Sequence, residues 1–228
     1  GYYIGFLIFI IVALINIYPM VFSIFCSFKG NLEIFSSFTA LPKKLRIENY
    51  LTAWNVGNIG RYFLNTIILA VGTLAISGLF GAMASYVLAK FKFRGKSKIY
   101  LLFISGMMIP IQAVLIPLSY IFGKLGIMNN YPVLILLYAA FCFPMTILIL
   151  TGFMNGIPTE LEEAMVIDGA NIYQVFFKMI LPLSVPGIVS VSIFNFIQVW
   201  NNLLFPLIFI SDKDLSLIHI SEPTRLDV

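Results

Sequence analysis

The sequence predicts an all-α integral membrane protein, a polytopic bundle of helices. Three observations predict it. Hydrophobic residues make up 60% of the chain and charged residues 11%, against about 25% charged in a soluble domain. So little charge cannot cover a water-facing surface, and the mean hydropathy is +0.98. The charge is also confined. Gly1–Phe28, Tyr62–Ala89, Ile99–Gly123, Leu125–Thr159 and Met179–Ser211 contain no Asp, Glu, Lys or Arg. Each run exceeds the roughly 20 apolar residues that cross about 30 Å of hydrocarbon. The runs are continuous rather than alternating and far longer than the roughly ten residues of a barrel strand, which rejects a β-barrel.

Five spans are therefore expected, near residues 4–27, 65–89, 99–122, 132–153 and 185–209. The first begins at Gly1, already inside an apolar run. It is too long for a signal-peptide core and shows no clear small-residue cleavage site, so it reads as a retained helix whose upstream flank is missing. The second carries small residues four apart, Gly78 with Ala82 and Gly81 with Ser85 and Ala89. Such spacing lets helices approach closely. The third holds Pro110 and Pro117 on either side of Gln112. Prolines free backbone carbonyls and kink a helix, which is tolerated where protein or a water-filled cavity satisfies them.

The two cysteines, Cys26 and Cys142, lie inside apolar runs and read as packing residues, with no disulfide and no metal site. The lone His219 has no ligand set around it. It falls in the segment 217–228 (LIHISEPTRLDV), which changes character abruptly after Asp212-Lys213-Asp214. That segment reads as a non-native tail, a sequencing or cloning scar. The alternative is an ordinary polar C-terminus. Residues 1–216 then form the membrane domain.

Orientation rests on one loop. Lys90, Lys92, Arg94, Lys96 and Lys98 fall within nine residues with no acid among them, and dense basic loops face the cytoplasm. The net charge of +4 is thus a topology signal rather than a nucleic-acid footprint. The 29–61 segment and the 123–131 loop then lie outside, and 154–182 lies inside. No span carries an acid for a proton relay, no potassium-filter sequence or ring of charge occurs, and no phosphate-binding G-x-x-x-x-G-K-[ST] sequence is present. Energy for transport would come from another subunit.

Residues 154–182 read MNGIPTELEEAMVIDGANIYQVFFKMILP. Pro158 suits the first turn of a short helix, and Glu160, Glu162 and Glu163 suit its positive end. Gly169 is a natural stop, because glycine enters the left-handed conformation cheaply. Asn171 can cap a second short helix, Ile172 to Leu181, before Pro182 and Pro186 open the fifth span. Two helices are more than a plain connector needs, so the segment reads as a docking element. Taken alone, Glu162 and Glu163 could equally form a solvated helix start.

Glu163-Ala164-Met165-Val166-Ile167-Asp168-Gly169-Ala170, followed by Phe176, Pro182 and Pro186, resembles the E-A-A-x-x-D-G-A loop of ABC-importer permeases, with Met165 in place of the second Ala. Glu48-Asn49-Tyr50, Arg61-Tyr62-Phe63-Leu64-Asn65-Thr66, Met108-Ile109-Pro110, Ile116-Pro117-Leu118 and Trp200-Asn201 are similar to its carbohydrate-uptake branch, the second permease of maltose-type systems. The resemblance implies a type I importer permease in a bacterial-type cell membrane, usually of six helices, the sixth lost after Leu215. It implies a second permease subunit, two cytoplasmic ATPase subunits that carry ATP–Mg, and an external solute-binding protein. This chain itself would bind no cofactor, perform no catalysis and contact lipid and a sugar substrate but no nucleic acid. It also implies that Glu163, Ala164, Asp168, Gly169 and Ala170 dock the ATPase.

For the substrate path, Asn195, Gln198 and Asn202 fall within about 60° of arc on a continuous fifth helix, and Gln112 sits between the two prolines of the third. Amides suit sugar hydroxyls. The alternative is that they tie helices together by interhelical hydrogen bonds. A permease for a polyamine or phosphate would keep the same docking loop and lose only the flanking resemblance. A secondary transporter or channel would need the intramembrane charge or filter that is absent here. A membrane enzyme would need a nucleophile–base pair. The orientation is directly testable. In intact cells an impermeant thiol reagent should label Thr52→Cys and spare Ser97→Cys; the opposite pattern would invert the topology.

Overall fold

A computed structural model describes residues 2–36, 40–211, 215 and 217. Every regular element among the described residues is helical. The described residues divide into two compact units, one up to residue 60 and one from residue 61 onward.

In the first unit, α1 (Tyr2–Ser27) is apolar throughout and buries none of its residues within the chain. A helix hydrophobic all round belongs in a lipid or protein environment rather than in water. Two short helices follow, α2 (Asn31–Ser36) and α3 (Glu48–Asn55). The start of α3 is stapled to the end of α1. The Asn49 side-chain amide donates to the carbonyls of Ser27 and Lys29 at 2.8 and 2.9 Å. The Tyr50 and Ser27 hydroxyls lie 2.6 Å apart, and the Tyr50 ring packs 5.3 Å from that of Phe28.

In the second unit, α4 (Ile59–Lys90) and α7 (Tyr131–Asn155) are the long unbroken helices. Asn130 caps α7 by accepting from the Val133 N–H at 3.3 Å. One face of α4, from Thr66 through Ala70, Thr73, Ser77 and Gly81 to Ser85, is buried. At Gly81 a β-carbon would collide with the Thr146 side chain of α7, whereas at Gly78 it would meet open space. Of the two small-residue pairs, only the one containing Gly81 therefore serves close helix approach at its glycine.

The expected third span, 99–122, is not one helix. It is α5 (Lys96–Ser105), a 3-10 turn (Gly106–Met108) and α6 (Ile111–Leu125), bent by 94°. The cause is Pro110, which forces Ile109 out of the helical region to φ −81°, ψ 113° and offers no N–H of its own. Pro117, by contrast, sits inside α6.

The docking segment contains α8 (Thr159–Ile167) and α9 (Ile172–Val175). It continues without interruption through a π-helical stretch (Phe176–Ile180) into α10 (Leu181–Leu183). The expected helix 172–181 is therefore present, but in its middle the hydrogen bonds span five residues rather than four. It meets α11 (Val185–Trp200) at a 70° bend.

The expected fifth span, 185–209, is also broken, because α11 stops at Trp200 and α12 (Leu204–Phe209) starts anew. Pro206 explains the gap: its ring would clash with the carbonyl four residues earlier, that of Asn202. The first, second and fourth expected spans thus correspond to the unbroken helices α1, α4 and α7, the third to the bent pair of α5 and α6, and the fifth to α11 and α12, of which α11 also forms a bent pair with the segment Ile172–Leu183. Apart from Leu217, which is buried, the expected tail 217–228 lies outside the described residues.

The unit has two cores. One gathers Leu69, Leu134, Tyr138, Phe205 and Phe209, and the other gathers Ala82, Tyr86, Leu150, Met154, Phe176, Ile180 and Val191. Gly81→Leu should lower the thermal midpoint in detergent, with a cost of about 1–3 kcal/mol for overpacking, whereas Gly78→Leu should not. Equal melting of both variants would show that α4 and α7 are not in close contact at Gly81.

Candidate functional site

The docking segment is an elbow. Helix α8 begins at Thr159, one residue after Pro158, whose fixed φ of −58° already suits the turn. It ends in two crossed hydrogen bonds, Ala170 N–H to Met165 O at 2.9 Å and Gly169 N–H to Val166 O at 3.0 Å. This pairing is the Schellman ending, which requires a left-handed residue at its centre. Gly169 supplies it at φ +85°. Asn171 then starts α9 with a reciprocal cap: its side chain accepts from the Gln174 N–H at 2.9 Å, and the Gln174 side chain accepts from the Asn171 N–H at 2.8 Å. The local chemistry read from Gly169 and Asn171 is thus realised in the fold.

The two faces of the elbow differ. Met165, Ala170, Val175 and Phe176 turn inward onto the second core. Glu163, Ala164 and Asp168 are exposed, and so are Val166, Ile167 and Tyr173. The outer face therefore combines two carboxylates with a group of large apolar side chains, and Ile167 is 85% exposed. Such a patch marks an interaction surface more often than a solvated one.

One functional residue escaped the sequence reading. Glu162, adjacent to Glu163, points inward. Its Oε1 lies 3.0 Å from Nζ of Lys90, the last residue of α4, with the two side chains only 13% and 8% exposed. This is a pairing of charges rather than an aimed hydrogen bond, since Oε1 has no aligned donor. The Lys90 ammonium directs a hydrogen bond to the carbonyl of Ile157, just past the end of α7. The other oxygen, Oε2, accepts from the Tyr86 hydroxyl at 3.2 Å. One ammonium group therefore holds together the end of α4, the end of α7 and the first turn of α8. The signal available beforehand was that Lys90 closes an apolar span and Glu162 opens a helix, but nothing in their spacing pairs them.

The candidate path residues do not converge. Asn195 is 1% exposed, and its Nδ2 donates to the Thr146 hydroxyl of α7 at 2.9 Å. It ties α11 to α7, the alternative role considered for these amides. Asn202 lies beyond the end of α11, so the expected stripe on one helix is interrupted. Its Oδ1 accepts from the Phe205 N–H at 3.2 Å, and its carbonyl accepts from the Tyr138 hydroxyl at 3.2 Å. Gln198 is exposed on α11 and Gln112 is exposed in the first turn of α6. Among the described residues, no cluster of His, Cys, Asp and Glu could hold a metal ion.

Several apolar helices, with an amphipathic elbow among them, mark a multi-pass membrane protein. Residues 77–223 match the family of binding-protein-dependent transport system inner membrane components, and the chain belongs to that family. It is similar to the diacetylchitobiose uptake system permease protein of Streptomyces coelicolor, at 41% identity over 202 residues, 89% of this chain and 67% of the relative. It is similar to the arabinooligosaccharides transport system permease protein of Halalkalibacterium halodurans, at 30% over 222 residues, 96% and 79% of the two chains. The multiple sugar-binding transport system permease protein of Streptococcus mutans is 32% identical over 202 residues, 87% and 72%. The matched region contains the elbow, Lys90 and both broken spans.

Breaking the Lys90–Glu162 pair from one side leaves a charge largely out of water, at a cost of about 3–5 kcal/mol. Glu162→Met and Lys90→Met should each lower stability by that order, and the double variant should recover much of the loss. A double-mutant cycle of thermal unfolding in detergent measures this; additive losses would show that the two charges do not interact.

Proposed function

We propose that this chain is the membrane-spanning permease subunit of an ATP-binding-cassette importer that moves a sugar or oligosaccharide. Family membership and relatives named for diacetylchitobiose, arabinooligosaccharides and multiple sugars support the reading. The observation that carries it is the elbow, whose inner face is bonded to the spanning helices and whose outer face is exposed among the described residues. A subunit with such an outer face transmits force from something docked there.

In this reading an external binding protein delivers the sugar. A second permease subunit completes the path. Two cytoplasmic ATPase subunits bind ATP–Mg, and this chain carries no cofactor. The basic loop and the elbow face the cytoplasm. Glu163, with Ala164, Asp168, Gly169 and Ala170 around it, seats α8 in a cleft of the ATPase, where the Glu163 carboxylate meets a basic group. Closure of the ATPases on ATP moves α8, and the Lys90–Glu162 pair passes that movement to α4 and α7. The permease then alternates between inward- and outward-facing states by rigid-body motion. Along the path, Gln112 and Gln198 offer amides to sugar hydroxyls, because their side chains are exposed. Asn195 and Asn202 hold the framework beside them, because the Asn195 Nδ2 and the Asn202 Oδ1 are engaged within the chain.

Truncating one partner of a desolvated pair costs about 2–5 kcal/mol, whereas a solvated pair contributes under about 1 kcal/mol. Glu163→Ala should therefore abolish uptake or release the ATPase from the membrane, while Glu160→Ala does little. Gly169→Val should be at least as harmful, since a β-branched side chain resists positive φ. Radiolabelled sugar uptake is read beside the ATPase retained on membranes at equal permease expression. Normal values for both Glu163→Ala and Gly169→Val would remove the elbow from the coupling pathway.

A further inference from the structure

The basic loop does more than mark an orientation. The end of α4, the start of α5 and the last turns of α7 line an open cleft of about 680 Å³, within the range of about 300–1,000 Å³ typical of small-ligand sites. Lys96 and Lys98 line it, and no carboxylate does. Lys96 Nζ donates to the Ala89 carbonyl at 3.1 Å, which leaves two of its three N–H groups to give. The cleft also contains the N-terminus of α5, a helix of 10 residues. Its cap position is Gly95 at φ +92°, with no side-chain cap; the Lys96 N–H donates to the Phe93 carbonyl at 3.4 Å, which leaves the next amides without a side-chain cap. Such a terminus favours an anion.

A second, independent feature points to a ligand. Thr151 of α7 also lines the cleft, is only 6% exposed, and its hydroxyl has no hydrogen-bond partner. A buried polar group left unmade is costly, and a bound acceptor would satisfy it. Asn155 supplies a further amide, and Leu88 and Phe93 form an apolar wall.

We infer that this cleft holds the phosphate headgroup of an anionic phospholipid. The ligand chemistry is a phosphate ester with a hydrocarbon neighbour. The lysines and the α5 terminus take the charge, Thr151 donates to an ester or phosphate oxygen, and Leu88 and Phe93 lie against the glycerol and upper acyl carbons. The location favours a lipid over a free phosphate. The cleft sits where two apolar helices end in a basic loop, the level at which headgroups lie, and juxtamembrane lysines attract anionic lipid there. The inference does not depend on which solute the protein moves.

The test uses the full chain, purified in mild detergent with the subunits that accompany it and stripped of bound lipid. It is then mixed with micelles containing phosphatidylglycerol or phosphatidylcholine, and retained lipid is counted by native mass spectrometry. Wild type should retain phosphatidylglycerol at least tenfold over phosphatidylcholine. Lys96→Gln with Lys98→Gln should lower phosphatidylglycerol retention by about tenfold or more, and Thr151→Val by several-fold with the helix shape kept. Lys124→Gln, a lysine seated over the Tyr120 ring away from the cleft, should leave it unchanged. Equal retention of the two lipids, or no loss in the double lysine variant, would overturn the inference. Displacement of phosphatidylglycerol by millimolar inorganic phosphate would overturn it too, by assigning the cleft to a free anion.

Discussion

Lipid offers a polypeptide no hydrogen bonds, and every backbone group at membrane depth must be satisfied by the chain itself. A continuous helix meets that demand alone, but this protein breaks two of its apolar segments and must cover the exposed groups. Where Pro206 ends the fifth segment, the Tyr138 hydroxyl takes up the Asn202 carbonyl and the Asn202 amide oxygen takes the Phe205 N–H. Beyond α12, Asn129 donates its N–H to the Phe209 carbonyl at 3.0 Å and accepts from the Ser211 N–H at its side chain, at 2.6 Å. Tyr138, Asn202 and Asn129 are thus committed to covering backbone groups at this break.

The same economy appears at the basic end. There Lys90 uses its several donors on groups from separate parts of the chain. Without it, the elbow would rest on α4 and α7 through apolar contacts such as Met165, Ala170 and Phe176 and through the Tyr86–Glu162 hydrogen bond. Apolar contacts are non-directional and permit sliding. A largely buried ion pair fixes a register, and that is the best-attested use of such pairs. The Tyr86 ring, packed 5.5 Å from Phe176 with its hydroxyl on Glu162, joins the apolar and the charged parts of this contact.

Features set by neighbouring residues were legible in the sequence. Charge-free runs located every long apolar segment, and the positive φ at Gly169 and the cap at Asn171 followed from residue chemistry over a few positions. Features set by distant pairs were not. Pro110 announced a kink, but a 94° bend depends on what α5 and α6 pack against. Asn49 and Tyr50 were visible as part of a resemblance, and only the fold shows that they fasten α3 to the end of α1. The choice between Glu162 and Glu163 turns on about 100° of helix rotation, which tertiary packing decides and the local sequence does not. The amides of Asn195 and Gln198 looked alike for the same reason. One faces Thr146, and the other faces away from the chain.

The crossed hydrogen bonds at Gly169 have a mechanical consequence. A glycine between two helices invites the idea of a loose joint, yet here both helix ends are locked: α8 by its Schellman ending and α9 by the Asn171–Gln174 cap. The corner has low compliance, so a load carried by α8 arrives at α9 with little lost to bending there. Softness lies further along. In the π-helical stretch Phe176–Ile180 the turns are wider than in an α-helix, and such stretches recur where helices do work. The 70° bend at Ser184 follows directly, and the Ser184 hydroxyl there is buried without a partner. The elbow thus pairs a capped corner at Gly169 with irregular helix geometry between Phe176 and Val185, the place where a proposed deflection would be taken up.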